Sequence, residues 1–197
     1  MNLKYLGDAL DHWKGSLFEY LAKEGVLREF AVDPMASDLL PWTEVDYSLF
    51  ARLLRIDKFR IIRHHVTLRD RPRYFAEITH TGDLFLDPDT GIATGRVTKR
   101  HISPLEVASL LEKPKDRLLV IYQHNARGMK MSARVDECLA RLMRETDGFG
   151  WCSYESGTVA MLFLSQKADR ASEVEAAFKT YLGRHAAQRV RGGMCKA

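Results

Sequence analysis

The sequence predicts a three-layer α/β domain around a mostly parallel sheet, and three observations predict it. Short apolar runs that stop at polar turns alternate with amphipathic helical stretches, the order that builds strands joined by crossover helices. Two of these runs end alike, in an aspartate followed by a proline: LREFAVD before Pro34, and LFLD before Pro88 within the stretch GDLFLDPDTGI, residues 82–92. Towards the end, two strand-like runs close on each other as an antiparallel hairpin.

The composition fits such a domain. The chain has 197 residues, 46% hydrophobic and 28% charged, the ordinary globular balance. Its net charge of +4 permits contact with nucleic acid or another polyanion, and equally describes a solvated basic surface. No apolar run approaches membrane-span length, and the first residues lack a signal-peptide pattern. Cys138, Cys152 and Cys195 are odd in number, far apart and match no zinc spacing, which points to reduced thiols and a cytoplasmic protein. There is no repeat and no linker, so a single α/β domain is expected over residues 1–185, with a basic flexible tail at 186–197.

In order, residues 5–23 read as a helix whose stripe is Leu6, Leu10, Trp13, Leu17 and Leu21. Asp8, His12, Gly15 and Glu19 fall opposite, with Asp11 and Lys14 on the flank; these are a solvated face with an ion pair, or Asp8, Asp11 and Lys14 edge a cleft. Leu27–Asp33 is the first strand, and Thr43 caps a helix over 44–55 with Val45, Leu49, Phe50, Leu53 and Leu54 inward. Phe59–Ile62 reads as a short second strand, 63–73 as an arginine-rich connection and 74–79 as a short helix. After the strand at 84–86 comes a second basic loop, 93–102. Ser103 and Pro104 then start a helix with Glu106 in the capping-box position and Leu105, Ala108, Leu110 and Leu111 apolar. Arg117–Tyr122 is a buried strand, 132–145 a helix, 149–154 and 158–165 the hairpin, and 170–182 a final helix ended by Gly183.

Ligands of open α/β sheets bind beyond the carboxyl ends of the strands. The strand-end acids Asp87 and Asp89 are therefore the leading catalytic candidates. If the two Asp-Pro strands are parallel neighbours, Asp33 shares their edge, and His124 after the 117–122 strand falls there too. Arg63, Arg69, Arg71 and Arg73, followed by Tyr74 and Phe75, and the second basic group Lys99 and Arg100, form the pattern of single-stranded nucleic-acid binding. A solvated connection with its aromatics in the core is the competing reading.

This layout resembles that of S-adenosylmethionine-dependent methyltransferases, a Rossmann-like sheet closed by a terminal antiparallel hairpin. LFLDPD sits where amine-directed members carry an Asp-Pro-Pro-aromatic motif. The segment GDALDHWK is similar to the Gly-Asn-His-Ala-Asp-Val-Leu-Lys pattern of the bacterial adenine methyltransferases that modify large-subunit ribosomal RNA. The spread of KYLGDALDHWK, FLDPDTGI and VIYQH also resembles an uncharacterised group of bacterial and phage proteins. The resemblance implies S-adenosylmethionine in a cleft lined by Asp8, Asp11, Lys14 and Asp33, with Asp87, Asp89 and His124 at the target group of a nucleic acid. The cofactor motif is degenerate: the turn Asp33-Pro34-Met35-Ala36-Ser37 has no glycine, and Ile62 leads into Arg63-His64-His65 where an acid is usual. Two other expectations stand beside methyl transfer. One is a metal-dependent nuclease or phosphoesterase, with Mg²⁺ or Mn²⁺ on Asp33, Asp87 and Asp89, His124 as a further ligand or base, and Lys14 or Lys99 on the phosphate. The other is a non-catalytic module that holds nucleic acid or a protein through its arginine loops.

Overall fold

A computed structural model describes residues 1–38, 41–112 and 114–196. Six strands form one sheet in the order β1 (Ala31–Asp33), β2 (Leu84–Leu86), β5 (Leu119–His124), β7 (Val159–Ser165), β6 (Gly148–Glu155) and β8 (Val190–Lys196). β1, β2 and β5 are mutually parallel, while β7 runs antiparallel between β5 and β6. Four of the six strands thus point the same way. Two short strands pair separately, β3 (Gly91–Ile92) at the end of the 82–92 stretch and β4 (His101–Ile102) at the end of the expected basic loop.

Period-two alternation sends Val32, Phe85, Val120 and Tyr122 to one face of the sheet, against α1 (Ala9–Lys23), α2 (Glu44–Leu54) and α6 (Ala168–Ala186). Ala31, Leu84, Leu86, Leu119 and Ile121 face the other way, against α3 (Arg71–Ala76), α4 (Pro104–Glu112) and α5 (Met131–Leu142). The result is the three-layer sandwich that the sequence predicts.

Several elements differ in detail. The second strand shrinks to one parallel bridge, Val32 to Ile61, because a 3₁₀ turn at Lys58–Arg60 takes up most of the run. The short helix starts earlier, at Arg71, where Asp70 caps it and Pro72 fits its first turn. Val45 and Leu105 leave the apolar faces and are 75% and 65% exposed. Both sit in a first turn, off the stripes formed by Phe50, Leu53 and Leu54 and by Val107, Leu110 and Leu111.

Gly15 faces α2 and not solvent: a Cβ there would lie 2.1 Å from the Leu53 carbonyl oxygen, so glycine sets the approach of the two helices. The tail expected to be flexible is instead strand β8, paired with β6 along its whole length and closed by buried Val190. The open edge of β6 supplies a complete ladder of partners that local sequence does not reveal.

The chain passes from β1 to the Ile61 bridge on one side and returns to β2 on the other. The topological switch point therefore lies between β1 and β2, and both Asp-Pro turns open onto it.

Candidate functional site

Asp33 and Asp87 meet at this edge, where the Asp87 N–H donates to the Asp33 carbonyl at 3.0 Å. Asp33, however, is paired with Leu86, one residue short of Asp87, and a one-residue offset sends the two side chains to opposite faces. The three acids expected to converge are thereby separated.

Asp87 joins the α1 layer. Lys14 Nζ lies 2.8 Å and 3.0 Å from its two carboxylate oxygens and 3.0 Å from Asp11 Oδ1. Asp11 Oδ2 accepts the Gly7 N–H at 2.9 Å, and Lys14 lies 4.4 Å over the Tyr122 ring. All three charged residues are buried, Lys14 at 2% exposure. Burial alone would lower the Lys14 pKa, but the carboxylates of Asp87 and Asp11 outweigh it and hold the ammonium above its ordinary value. Burial raises the Asp11 carboxyl, against the opposing pull of Lys14.

Asp89 turns the other way, its Oδ2 2.5 Å from Ser37 Oγ and 3.6 Å from Arg100 Nε. Asp8 is exposed and caps α1, accepting the Leu10 N–H at 2.8 Å. His124 is half-buried, 3.2 Å from the Tyr122 hydroxyl, and burial followed by the Lys14 charge lowers its pKa.

These groups enclose a cavity of about 390 Å³, lined by Tyr5, Asp8, Lys14, Asp89, Arg100 and His124 among others. Behind the lining residue Thr90, buried Gln123 accepts the Ile92 N–H at 2.7 Å and donates to the Thr90 carbonyl at 3.0 Å. Sequence reasoning missed Tyr5, Tyr122 and Gln123. Tyr122 was within reach, because Val120, Tyr122 and His124 alternate onto one face.

Asp33 sits outside the cavity, bound on the second face by His64 and Tyr74. Arg63 pairs with Glu44 at 3.1 Å and lies 4.6 Å over Tyr47, and exposed Arg73 lies 3.9 Å from Asp70. Arg71 grips Glu106 through two bonds, at 2.7 and 2.5 Å, and donates to the His101 carbonyl at 3.0 Å. It thereby ties the first basic stretch to the second. Exposed Arg69 and Lys99 meet across a crevice of about 170 Å³ beside Ser37 and Asp38. Of the six expected nucleic-acid contacts, Arg69, Lys99 and Arg100 rim the strand ends, Arg71 is held by Glu106, and Arg63 and Arg73 are exposed beside Glu44 and Asp70.

No family model matches the chain, and no curated protein matches it. Among solved structures it is similar to a crystal structure of a protein of the DUF519 family from Legionella pneumophila strain Philadelphia 1, at 12% identity and a TM-score of 0.42. The match covers 85% of this chain and 60% of that one, so the chain spans well under two thirds of its neighbour's length. A likeness this remote carries no role across.

The groups implied by the sequence can be tested against the residues. A methyl donor would need the switch-point crevice. The Met1 nitrogen lies beside it, 2.7 Å from the Pro34 carbonyl oxygen, 3.0 Å from that of Met35 and 2.6 Å from that of Asp87. Met35 holds φ at +43°, and its N–H is taken by Asp33 at 2.8 Å. A turn bonded to itself stands where a glycine cradle would. The acids do not converge as ligands of one divalent cation. Asp33 points away, and the Lys14 ammonium takes both oxygens of Asp87. Among the described residues no three His, Cys, Asp or Glu side chains group as ligands. Among the described residues no helix is long and apolar enough to cross a membrane.

Proposed function

We propose that this chain is a non-methylating, nucleic-acid-binding relative of the methyltransferase-type sheet. A single strand runs over the carboxyl-end face, its phosphates on Arg69, Lys99 and Arg100, and one unpaired base enters the strand-end cavity. The lining of that cavity carries the reading. At about 390 Å³ it falls within the range of small-ligand pockets, and Tyr5, Tyr122 and His124 present rings to it beside the Arg100 cation. Tyr5 is 48% exposed, so a flat base can stack on it, as single-strand binders use aromatics beside cations.

The antiparallel insertion of β7 between β5 and β6 supports the kinship of the sheet. The glycine-free turn at Asp33–Met35 and the pairing of Asp87 with Lys14 support binding without methyl transfer. Titration of a fluorescein-labelled single strand, followed by anisotropy at rising salt, tests the reading. Binding that weakens steeply with salt is the expected result. No binding at low salt, or binding indifferent to salt, contradicts it.

A further inference from the structure

At the far end of the sheet from the two Asp-Pro turns, β8 pairs with β6 on one side and, among the described residues, with no strand on the other. It runs for seven residues without a proline, and its register with β6 is continuous from Val190 to Lys196, with no bulge. Sheet edges are guarded against further pairing by shortness, proline, bulges or charge, and β8 has only the last of these.

The ladders inward of β8 set which of its backbone groups face outward. The Asn125 N–H donates to the Thr158 carbonyl and the Ser156 N–H to the Val159 carbonyl, so the odd-numbered residues of β7 bond to β6. Alternation then turns Phe149, Trp151 and Ser153 of β6 towards β8, and Arg191, Gly193 and Cys195 of β8 back towards β6. The N–H and C=O groups of Gly192 and Met194 therefore point to the open edge, where they have no hydrogen-bond partner among the described residues.

The side chains leave this stretch accessible. Gly192 and Gly193 carry none, and Trp151 lies across Gly193, where a Cβ would meet its Nε1 at 3.3 Å. Arg191 is drawn inward over that indole, held by Glu155 at 2.7 Å and Asp136 at 3.0 Å. Glu175, beside Gly192 on the opposite face, is held by Lys179 at 2.6 Å. Met194 is 47% exposed. What charge remains is of one sign. No Asp or Glu follows Glu175 in the sequence, and Arg184, Arg189 and Lys196 are exposed, with no carboxylate partner among the described residues.

We propose that the outer edge of β8 takes up an extended, acidic segment of another protein as a further strand. Outward N–H and C=O groups in alternation are matched together by another polypeptide backbone, whereas the phosphates of a nucleic acid accept but do not donate. Arg189 and Lys196, near the two ends of the strand, match carboxylates on the incoming chain; a second copy of β8 would bring the same cations back. The glycine pair clears the middle, so that an apolar residue of the added strand reaches the Trp151 indole. β5, β7 and β6 separate this edge from the Asp-Pro turns, and its occupant is independent of what the strand-end cavity holds.

The test titrates fluorescein-labelled peptides matched to β8 in length, alternating Val and Thr with Glu at both ends or Lys at both ends, against the full chain by anisotropy. The Glu peptide is expected to saturate and to bind about tenfold more tightly than the Lys peptide, because each end exchanges an attractive surface pair for a repulsive one. The Glu peptide N-methylated along its pairing edge is expected to bind about tenfold more weakly, having lost its backbone donors. Met194→Pro removes an outward N–H and spares the ladder to β6, as edge strands permit; it is expected to melt like wild type and to bind the Glu peptide about tenfold more weakly, while Met194→Ala binds like wild type. No saturation by the Glu peptide at millimolar concentration, or equal binding of the Lys or the N-methylated peptide, overturns the assignment whether or not the proline variant folds. Displacement of the bound Glu peptide by unlabelled single-stranded DNA would give the edge to nucleic acid, and a dimer of the free protein that Met194→Pro abolishes would give it to a second copy; either overturns the assignment as well.

Discussion

Replacing Lys14 by Met tests how the strand-end cavity is held together. The substitution keeps the apolar stem and removes the ammonium that two buried carboxylates share. Asp11 is 0% exposed and Asp87 1%, so neither reaches water when its partner is lost. Breaking a buried ion pair by removing one member costs about 3–5 kcal/mol, because the remaining charge is stranded. At about 2–4 °C per kcal/mol for a domain of this size, Tm falls by about 6 to 20 °C. The sign with pH follows from the shifts. Lys14 is raised, so its contribution is fully present at neutral pH and lost only above the lysine range, as pH rises through its folded value. Asp11 is raised by burial, so the folded state holds that proton more tightly than the unfolded chain and acid relieves the stranded charge. The deficit of Lys14→Met therefore shrinks as pH falls from neutral towards the carboxylate range. Adding Asp87→Asn removes one of the two stranded charges and recovers part of the loss. Urea denaturation of the three proteins at neutral and mildly acidic pH measures this. A deficit below about 1 kcal/mol at neutral pH, the value of a surface pair, would refute the reasoning.

Two further outcomes follow from the same edge of the sheet. Gly91→Ala is expected to destabilise the fold, because Gly91 has φ of +98° and a Cβ there would lie 2.3 Å from the Gln123 amide oxygen; a melting temperature equal to wild type would show that the turn is freer than its contacts. Isothermal titration with S-adenosylmethionine is expected to give no binding heat at millimolar ligand, since the turn after β1 is glycine-free and the Met35 N–H is taken by Asp33; saturable micromolar binding would contradict that.

The fold was legible in the sequence where short-range patterns decide it. Apolar runs ending in Asp-Pro placed β1 and β2, and the end of the 117–122 run placed His124 at the same edge. What the sequence did not show depends on pairing across distance. Lys14 reads as a flank residue of a surface helix because its second partner, Asp87, lies 73 residues away. Asp33 reads as a neighbour of Asp87, which it is along the edge, but the register that turns its side chain to His64 and Tyr74 exists only once β1 and β2 have paired. The tail reads as frayed because its seven-residue ladder is supplied by β6. Arginine content drew attention to the 63–73 stretch, yet Arg71 spends its donors on Glu106 and a carbonyl, leaving Arg69 as that stretch's contribution to the rim.

The central claim is that a single strand lies on the Arg69, Lys99 and Arg100 rim, and its most direct test is the salt dependence of binding in a variant lacking all three side chains. Each phosphate contact contributes about 0.7 to the slope of log K against log salt for a single strand. Alanine at the three positions is therefore expected to weaken binding at low salt and to flatten the slope by about 2. An unchanged slope, in a variant that melts like wild type, would place the strand elsewhere on the protein and contradict the account.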